Sequence, residues 1–289
     1  MAVETKTMQR KPPLLTSQHV PLFPATKACS LLEKFSPQGN AGEEKKQLFE
    51  ASVAPAGKLA GPFLSLCMKH KERDDDFKKD MKNIAGNLQC GQSDIQQFLE
   101  NFSLFLGLED LNARAGLFLS YIINASKEPE IMLSVKNAPG LDYLGYQLND
   151  KKLYVIGDVG DYFGHSAYYC TLAVFGNTGI AAGYEMGDLI FSKELSRLCI
   201  HGNAGPDAGL DMNTGIITVD GDAIGIGKGS GKLSEIHVGG NIYPGYVNFL
   251  KYDIQKGKFV SSSYGLCNLF QRGRQIVKEG EIIAQPENK

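Results

Sequence analysis

The chain has 289 residues, a formal net charge of −2 and a pI near 6.2, so its charge balance calls for neither nucleic acid nor an acidic membrane as partner. The cysteines Cys29, Cys67, Cys90, Cys170, Cys199 and Cys267 are far apart and form no Cys-x-x-Cys pair. That excludes a zinc ribbon, an iron–sulfur ligand set or a disulfide framework and fits a reducing compartment.

The segment Met1 to Pro13 is polar and basic, with no apolar core for a secretory signal. The longest apolar run, Gly116 to Ile123, is broken by Ser120 and is too short to span a bilayer. A soluble, cytoplasmic protein is expected. Residues 1–74 read as a largely irregular N-terminal arm, because Pro12, Pro13, Pro21, Pro24, Pro37, Pro55 and Pro62 interrupt every candidate element. Short helices could form from Thr26 to Phe35 and from Gly42 to Val53, and the arm could also dock on the body or on a partner.

Residues 75–128 read as helical. Phe77, Met81, Ile84 and Leu88 fall at helix spacing, and Ser93 with Gln96 has the form of a capping box ahead of Ile95, Phe98, Leu99, Phe102 and Leu106. Gly107 supplies a stop, and Asp110 starts a third helix with Leu111, Ala115, Phe118, Leu119 and Ile122 inward. So much apolar surface must be covered, and capping the end of a neighbouring sheet is the physical expectation.

Residues 129–255 carry a repeat. A Gly-Asn or Gly-Asp pair returns at Gly157-Asp158, Gly176-Asn177, Gly202-Asn203, Gly221-Asp222 and Gly240-Asn241, at intervals of 19, 26, 19 and 19 residues. Aliphatic residues stand four and two positions before each glycine: Leu153/Val155, Leu172/Val174, Leu198/Ile200, Ile217/Val219 and Ile236/Val238. A short strand with one inward face and a tight turn, repeated at this period, describes a solenoid in which each repeat is one rung. An earlier rung begins at Ile131. Two more glycine columns follow the anchors, Gly160/Gly179/Gly205 and Gly164/Gly183/Gly209, with Met186 and Met212 beyond them. Fixed glycines imply a positive φ or a corner too tight for a Cβ. The 26-residue interval is assigned to an insertion at Phe191–Arg197. The last rungs decay, with Lys228 and Val247 in the later glycine column and a flexible corner around Gly225, Gly227, Gly229 and Gly231. Past Asp253 the period is lost, and residues 256–289 read as a closing segment, with strands at Lys258–Ser263 and Gln275–Ala284.

The repeat resembles the glycine-rich β-helix domain at the C-terminus of the glutamate synthase large subunit, which is similar to one of the subunits of formylmethanofuran dehydrogenase. The carriers are Gly157-Asp158-Val159-Gly160 with Gly164, Gly176-Asn177-Thr178-Gly179 with Gly183, and Gly202-Asn203-Ala204-Gly205 with Gly209, within residues 131–250. The resemblance implies a mainly β protein, a right-handed parallel β-helix (a single-stranded solenoid), here with an N-terminal α-helical segment. It also implies a domain that joins catalytic units and carries no catalytic residues or cofactor itself. The rest of the chain lacks an N-terminal nucleophilic Cys, a flavin barrel and a cysteine cluster, so glutamate synthase activity is not expected.

Candidate chemistry is sparse. The run Gly225 to Lys232 has Asp222 and Ile226 where a phosphate loop needs glycine. Asp158, Asn177, Asn203, Asp222 and Asn241 are better read as a structural turn ladder than as acid–base groups. On the outward strand face, the register brings Cys199, His201, Asp220 and His237 together, with His201 beside Asp220, close enough to orient an imidazole or share a metal. The metal itself is left unknown. His165 reads as a solvated turn residue, and the apolar half of the face, Tyr154, Ile156, Ala173 and Phe175, is expected to meet the helical segment or another chain. The leading expectation is therefore a non-catalytic scaffold with a protein partner or a second copy. A metal-dependent or carbohydrate-active enzyme using the outer face is the alternative.

Overall fold

The structure, a computed structural model, describes residues 54–70, 73–188, 195–227, 230–231, 233–243, 250–253, 258–261, 267–279 and 281–288. The helices predicted within residues 26–53 lie outside them. Among the described residues, four helices come first: α1 (Ala60–Lys69), α2 (Asp75–Asn87), α3 (Gln92–Glu100) and α4 (Leu111–Ala125), with short 3₁₀ turns at Ala54–Leu59 and Phe102–Phe105. The strands follow as β1 (Glu130–Ser134), β2 (Lys152–Ile156), β3 (Thr171–Phe175), β4 (Arg197–Ile200), β5 (Gly215–Val219) and β6 (Ala223–Ile224). Then come β7 (Ser234–Val238), β8 (Ile242–Tyr243), β9 (Leu250–Asp253), β10 (Lys258–Ser261), β11 (Asn268–Gln271), β12 (Arg274–Lys278) and β13 (Glu281–Ile282).

The main sheet runs β1-β2-β3-β4-β5-β7-β11-β12-β13, and every pairing from β1 to β11 is parallel. Each strand sits one coil above the last, which makes the architecture a parallel β-helix. The alternation of inward and outward residues sets the register. Ile131, Leu153, Leu172, Leu198, Ile217, Ile236 and Leu269 form one inward file; Leu133, Val155, Val174, Ile200, Val219 and Val238 form the other. All are buried. The opposite wall of the coil consists of turns, held by the short β6–β8 pair and single bridges such as Thr178↔Ala204 and Ala208↔Ile226.

The two glycine requirements are distinct. A Cβ on Gly176 or Gly202 would lie 2.4 or 2.5 Å from the carbonyl oxygen of Gly157 or Gly176 on the rung before, so these anchors are glycine for lack of room. Gly164, Gly183 and Gly209 instead have φ of +70°, +72° and +72°, the left-handed region that disfavours a side chain. That column continues at Gly227 (φ +63°), one residue ahead of the predicted Lys228; Val247 lies outside the described residues. Non-glycine residues also adopt positive φ in register: Tyr143, Tyr162, Ala181 and Asp207, and then Gln147, Ser166, Glu185 and Asp211. Tyr143, Tyr162 and Ala181 each donate their backbone N–H to the carbonyl of the next rung, at 2.7 Å in every case. Left-handed backbone costs about 1–3 kcal/mol per residue, and here the inter-rung hydrogen bonds offset it.

Several expectations need correction. Residues 60–69 are helical, where the prolines suggested an irregular arm; Pro62 falls in the first turn of α1, which needs no N–H donor there, and Phe63, Leu64 and Leu66 are buried. Helix α3 begins after Gly91, capped by Asp94 accepting the Gly91 N–H at 2.9 Å, and not through a Ser93–Gln96 box. Arg197 belongs to β4, so the insertion precedes it, and most of that segment lies outside the described residues. The solenoid does not end near residue 255. After 33 residues (236 to 269) the chain returns as β11, parallel to β7, and closes with the antiparallel strands β12 and β13, while β9 pairs with β10. The expected strand Gln275–Ala284 is thus two strands of a hairpin.

The helical segment does cap the first rung. Phe63, Phe98, Phe105 and Phe118 form one aromatic cluster, with Phe98 and Phe105 stacked at 4.8 Å. Gly116 of α4 lets the helix touch the first corner, where a Cβ would lie 1.9 Å from the Asp142 carbonyl oxygen. Ser120, the residue that breaks the apolar run, accepts the Gly145 N–H at 2.8 Å and donates to the Gly116 carbonyl at 2.7 Å.

Candidate functional site

The outer sheet face holds the four predicted residues. Cys199, Thr218 and His237 are consecutive in one column, which runs back through Ala173 and Tyr154 to Met132 and on to Phe270. The neighbouring column is Ser134, Ile156 and Phe175, continued by His201 and Asp220. His201 Nδ1 lies 2.7 Å from Asp220 Oδ2, the contact the register predicts, and the imidazole stacks on Phe175 at 4.6 Å. His237 is engaged elsewhere: it stacks on Phe270 at 4.5 Å, with Nε2 3.4 Å from Glu235 Oε2. Burial, reinforced by the Asp220 charge, pushes the Cys199 thiol up, so it stays protonated. Among the described residues, no three His, Cys, Asp or Glu side chains are placed to hold a metal ion. The His201–Asp220 couple is open to water, where such a pair contributes about 0–1 kcal/mol.

The turn ladder has the predicted members. Asp158 Oδ1 accepts the Asn177 N–H, Asn177 Oδ1 the Asn203 N–H, Asn203 Oδ1 the Asp222 N–H and Asp222 Oδ1 the Asn241 N–H, at 2.7–2.8 Å. The side chains of Asp158, Asn177, Asn203 and Asp222 each fasten one corner to the next. A second, unforeseen ladder runs from Asp142 through Asp161 to the Ile180 N–H.

Sequence reasoning missed a cleft on the corner side, between α2 and the turns of the first four rungs. It comprises two side-by-side hollows of 820 and 780 Å³. Tyr146 and His165 line one; their chain neighbours Gln147 and Ser166 line the other. His165 is not the solvated turn residue expected from the sequence. Its ring lies among Tyr146, Tyr162 and Tyr184, with centroids 4.7–6.0 Å away, and its Nδ1 is buried without a hydrogen-bond partner. Nε2 faces Glu185 Oε2 at 3.4 Å, and Glu185 also accepts from Ser166 Oγ at 3.2 Å. Burial lowers the His165 pKa, with Glu185 opposing, so the ring is neutral at neutral pH. Burial likewise raises Tyr121, Tyr146, Tyr162 and Tyr184, which keeps their hydroxyls protonated. The signal in the sequence was the 19-residue interval itself: Tyr143 to Tyr162, and Gln147 to Ser166 to Glu185, repeat in the turns as the aliphatics do in the strands.

Comparisons with family models, with curated protein sequences and with solved structures found no match.

Proposed function

We propose that this chain is a non-catalytic scaffold or assembly subunit that presents its outer sheet face to another protein. The observation that carries this reading is a strip of apolar side chains on otherwise polar strands. Met132, Ile156 and Phe175 are 48, 36 and 48% exposed. A flat, rigid, apolar strip beside polar columns has the make-up of a docking surface with a rim. The resemblance to the glutamate synthase β-helix domain, which joins catalytic units, supports the same role. The enzymatic alternative would rest on His201 and Asp220. It lacks support from a third ligand among the described residues, and the adjacent Cys199 thiol is held protonated.

The test is purification from the native host after mild cross-linking, comparing wild type with an Ile156→Asp/Phe175→Asp variant whose melting curve is unchanged. A stoichiometric heteromeric complex that the variant loses is expected. A wild-type protein that elutes alone as a monomer, or a variant that keeps the same partner, overturns the reading.

A further inference from the structure

We propose that residues 48–53 of this chain cover the apolar strip of the outer sheet face in the isolated protein, so that a docking partner has to displace them. This deepens the assembly reading and rests on its claim that the strip is a docking surface.

The chain enters the described structure beside the head of the strip. Helix α3 lies along the edge of β1, with Gln92 bonded to the Met132 N–H and Gln96 to the Ser134 N–H. The Pro55 carbonyl accepts from the side-chain amides of Gln97 and Asn101, both at 3.0 Å, which puts the entry at the C-terminal end of α3. Asn137 donates to the Glu100 carbonyl at 3.5 Å, so that end of the helix stands over the Ser134 end of β1. Ser134 heads the column that continues as Ile156 and Phe175. The arm therefore starts above the apolar column and not above the far, Glu130 end of the strand. Ala56 and Leu59 are fully buried, and Lys58 pairs with Asp94 at 2.9 Å, which fixes the entry point.

The reach fits. Helix α3 is about 10 Å across with its side chains, and the two rung intervals from Ser134 to Phe175 add about 10 Å. Leu48 stands six residues before Ala54, and six residues span at most about 20 Å. Leu48, Phe49 and Val53 are the large apolar residues nearest the entry; going back, the next is Phe35, beyond the polar residues 36–47. So short a tether holds a segment at an effective concentration in the millimolar range, which a free partner has to overcome.

The strip also matches one short segment in size. Met132, Tyr154, Ile156, Ala173 and Phe175 occupy three rungs of one strand width, about 10 Å by 17 Å. A stable pair of copies buries about 800 Å² on each side, several times what these rungs offer. Leu104 and Leu106, 40 and 46% exposed, follow Asn101 in the chain and form a smaller landing place near the same entry.

Photo-cross-linking of the purified full chain tests the proposal. The probe is Phe175→p-benzoylphenylalanine, with the same replacement at Ile156 as a second position and at Leu104 as a comparison, followed by peptide mapping. Adducts from the strip probes within residues 44–53 of the same chain, unchanged on dilution, are expected. Leu48→Asp/Phe49→Asp should lower their yield about ten-fold and raise several-fold the fraction of chain captured with a partner. Adducts to a second copy, to residues 14–23 or to no part of the arm overturn the proposal. Arm adducts from the Leu104 probe alone, or partner capture that Leu48→Asp/Phe49→Asp leaves unchanged, do the same. An arm adduct in a protein with no partner that depends on Ile156 and Phe175 shows that the assembly reading has failed. A partner lost by Ile156→Asp/Phe175→Asp, with no arm adduct, shows that the arm contact has failed.

Discussion

The two ends of the solenoid face the same problem, an open strand edge above an apolar core, and close it differently. At the N-terminal end, helices do the work: an aromatic cluster covers the core, and α3 lies along β1. Gln92 Oε1 accepts the Met132 N–H at 2.7 Å, and Gln96 takes both the Ser134 N–H, at 2.9 Å, and its carbonyl, at 3.3 Å. At the C-terminal end the sheet closes itself, turning antiparallel through β12 and β13, while the tail is pinned by Gln271 and Asn288. Asn288 pairs with both backbone groups of Ile242, at 3.0 and 2.7 Å, as a strand would. Both ends thus use carboxamides as substitute peptide groups. A carboxamide carries one donor side and one acceptor side, so it satisfies an edge without offering a new one. The difference lies in what backs the carboxamides: a packed helical layer at one end, a hairpin and a tail at the other.

That contrast can be broken by mutation. The largest effect is expected from Phe98→Ala, which removes a fully buried ring from the centre of the aromatic cluster. A loss of about 3–5 kcal/mol in urea unfolding is predicted; a loss below about 1 kcal/mol would mean the helices contribute little to closing the stack. Next, Gln92→Ala with Gln96→Ala leaves the β1 edge unsatisfied, at about 1–3 kcal/mol, and light scattering should rise as the bared edge pairs with other molecules. Gln271→Leu should cost a similar amount at the other end, since the Gln271 side chain bonds the Gly240 and Glu287 carbonyls and accepts the Glu287 N–H. If the tail stays protected from proteolysis in that variant, the pinning role is disproved.

Smaller effects lie between the ends. His165 has its pKa depressed below the ordinary 6.5 in the folded protein, chiefly by burial. Above pH 6.5 both folded and unfolded forms are neutral there and stability is at its full value. As the pH falls, the unfolded chain takes up the proton first, and stability declines until the folded ring protonates too. Glu185, Lys78 and the surrounding tyrosines set that shift. His165→Gln should flatten this acid-side decline in melting temperature relative to wild type; parallel curves for the two proteins would contradict it. Last, Asp220→Asn should change stability by less than about 1 kcal/mol, because the His201 pair is solvated.

How far the fold could be read in advance depended on what repeats. The paired aliphatics, the anchor glycines and the Asp/Asn column recur at fixed steps, so the rungs, their register and the His201–Asp220 contact were legible. Strand β11 was not, because it lacks a Gly-Asn anchor and turns through Arg272 and Gly273 instead (φ +49° and +77°). Helix α1 was hidden by counting Pro62 as a breaker without asking whether it fell in a first turn. The cleft was missed for a physical reason. Its residues sit at positive φ, where sequence reasoning looks for glycine, and Tyr143, Gln147 and Ser166 stay there only because the neighbouring rung accepts their N–H groups.

The corner ladder has an arrow. From Asp158 to Asp222 the accepting oxygen always belongs to the earlier coil and the donated proton to the later one. The corners at Tyr143, Tyr162 and Ala181 point the opposite way, their N–H groups reaching forward to the later coil. A coil inside the stack is therefore latched in both directions, and removing one bares acceptors on one side and donors on the other.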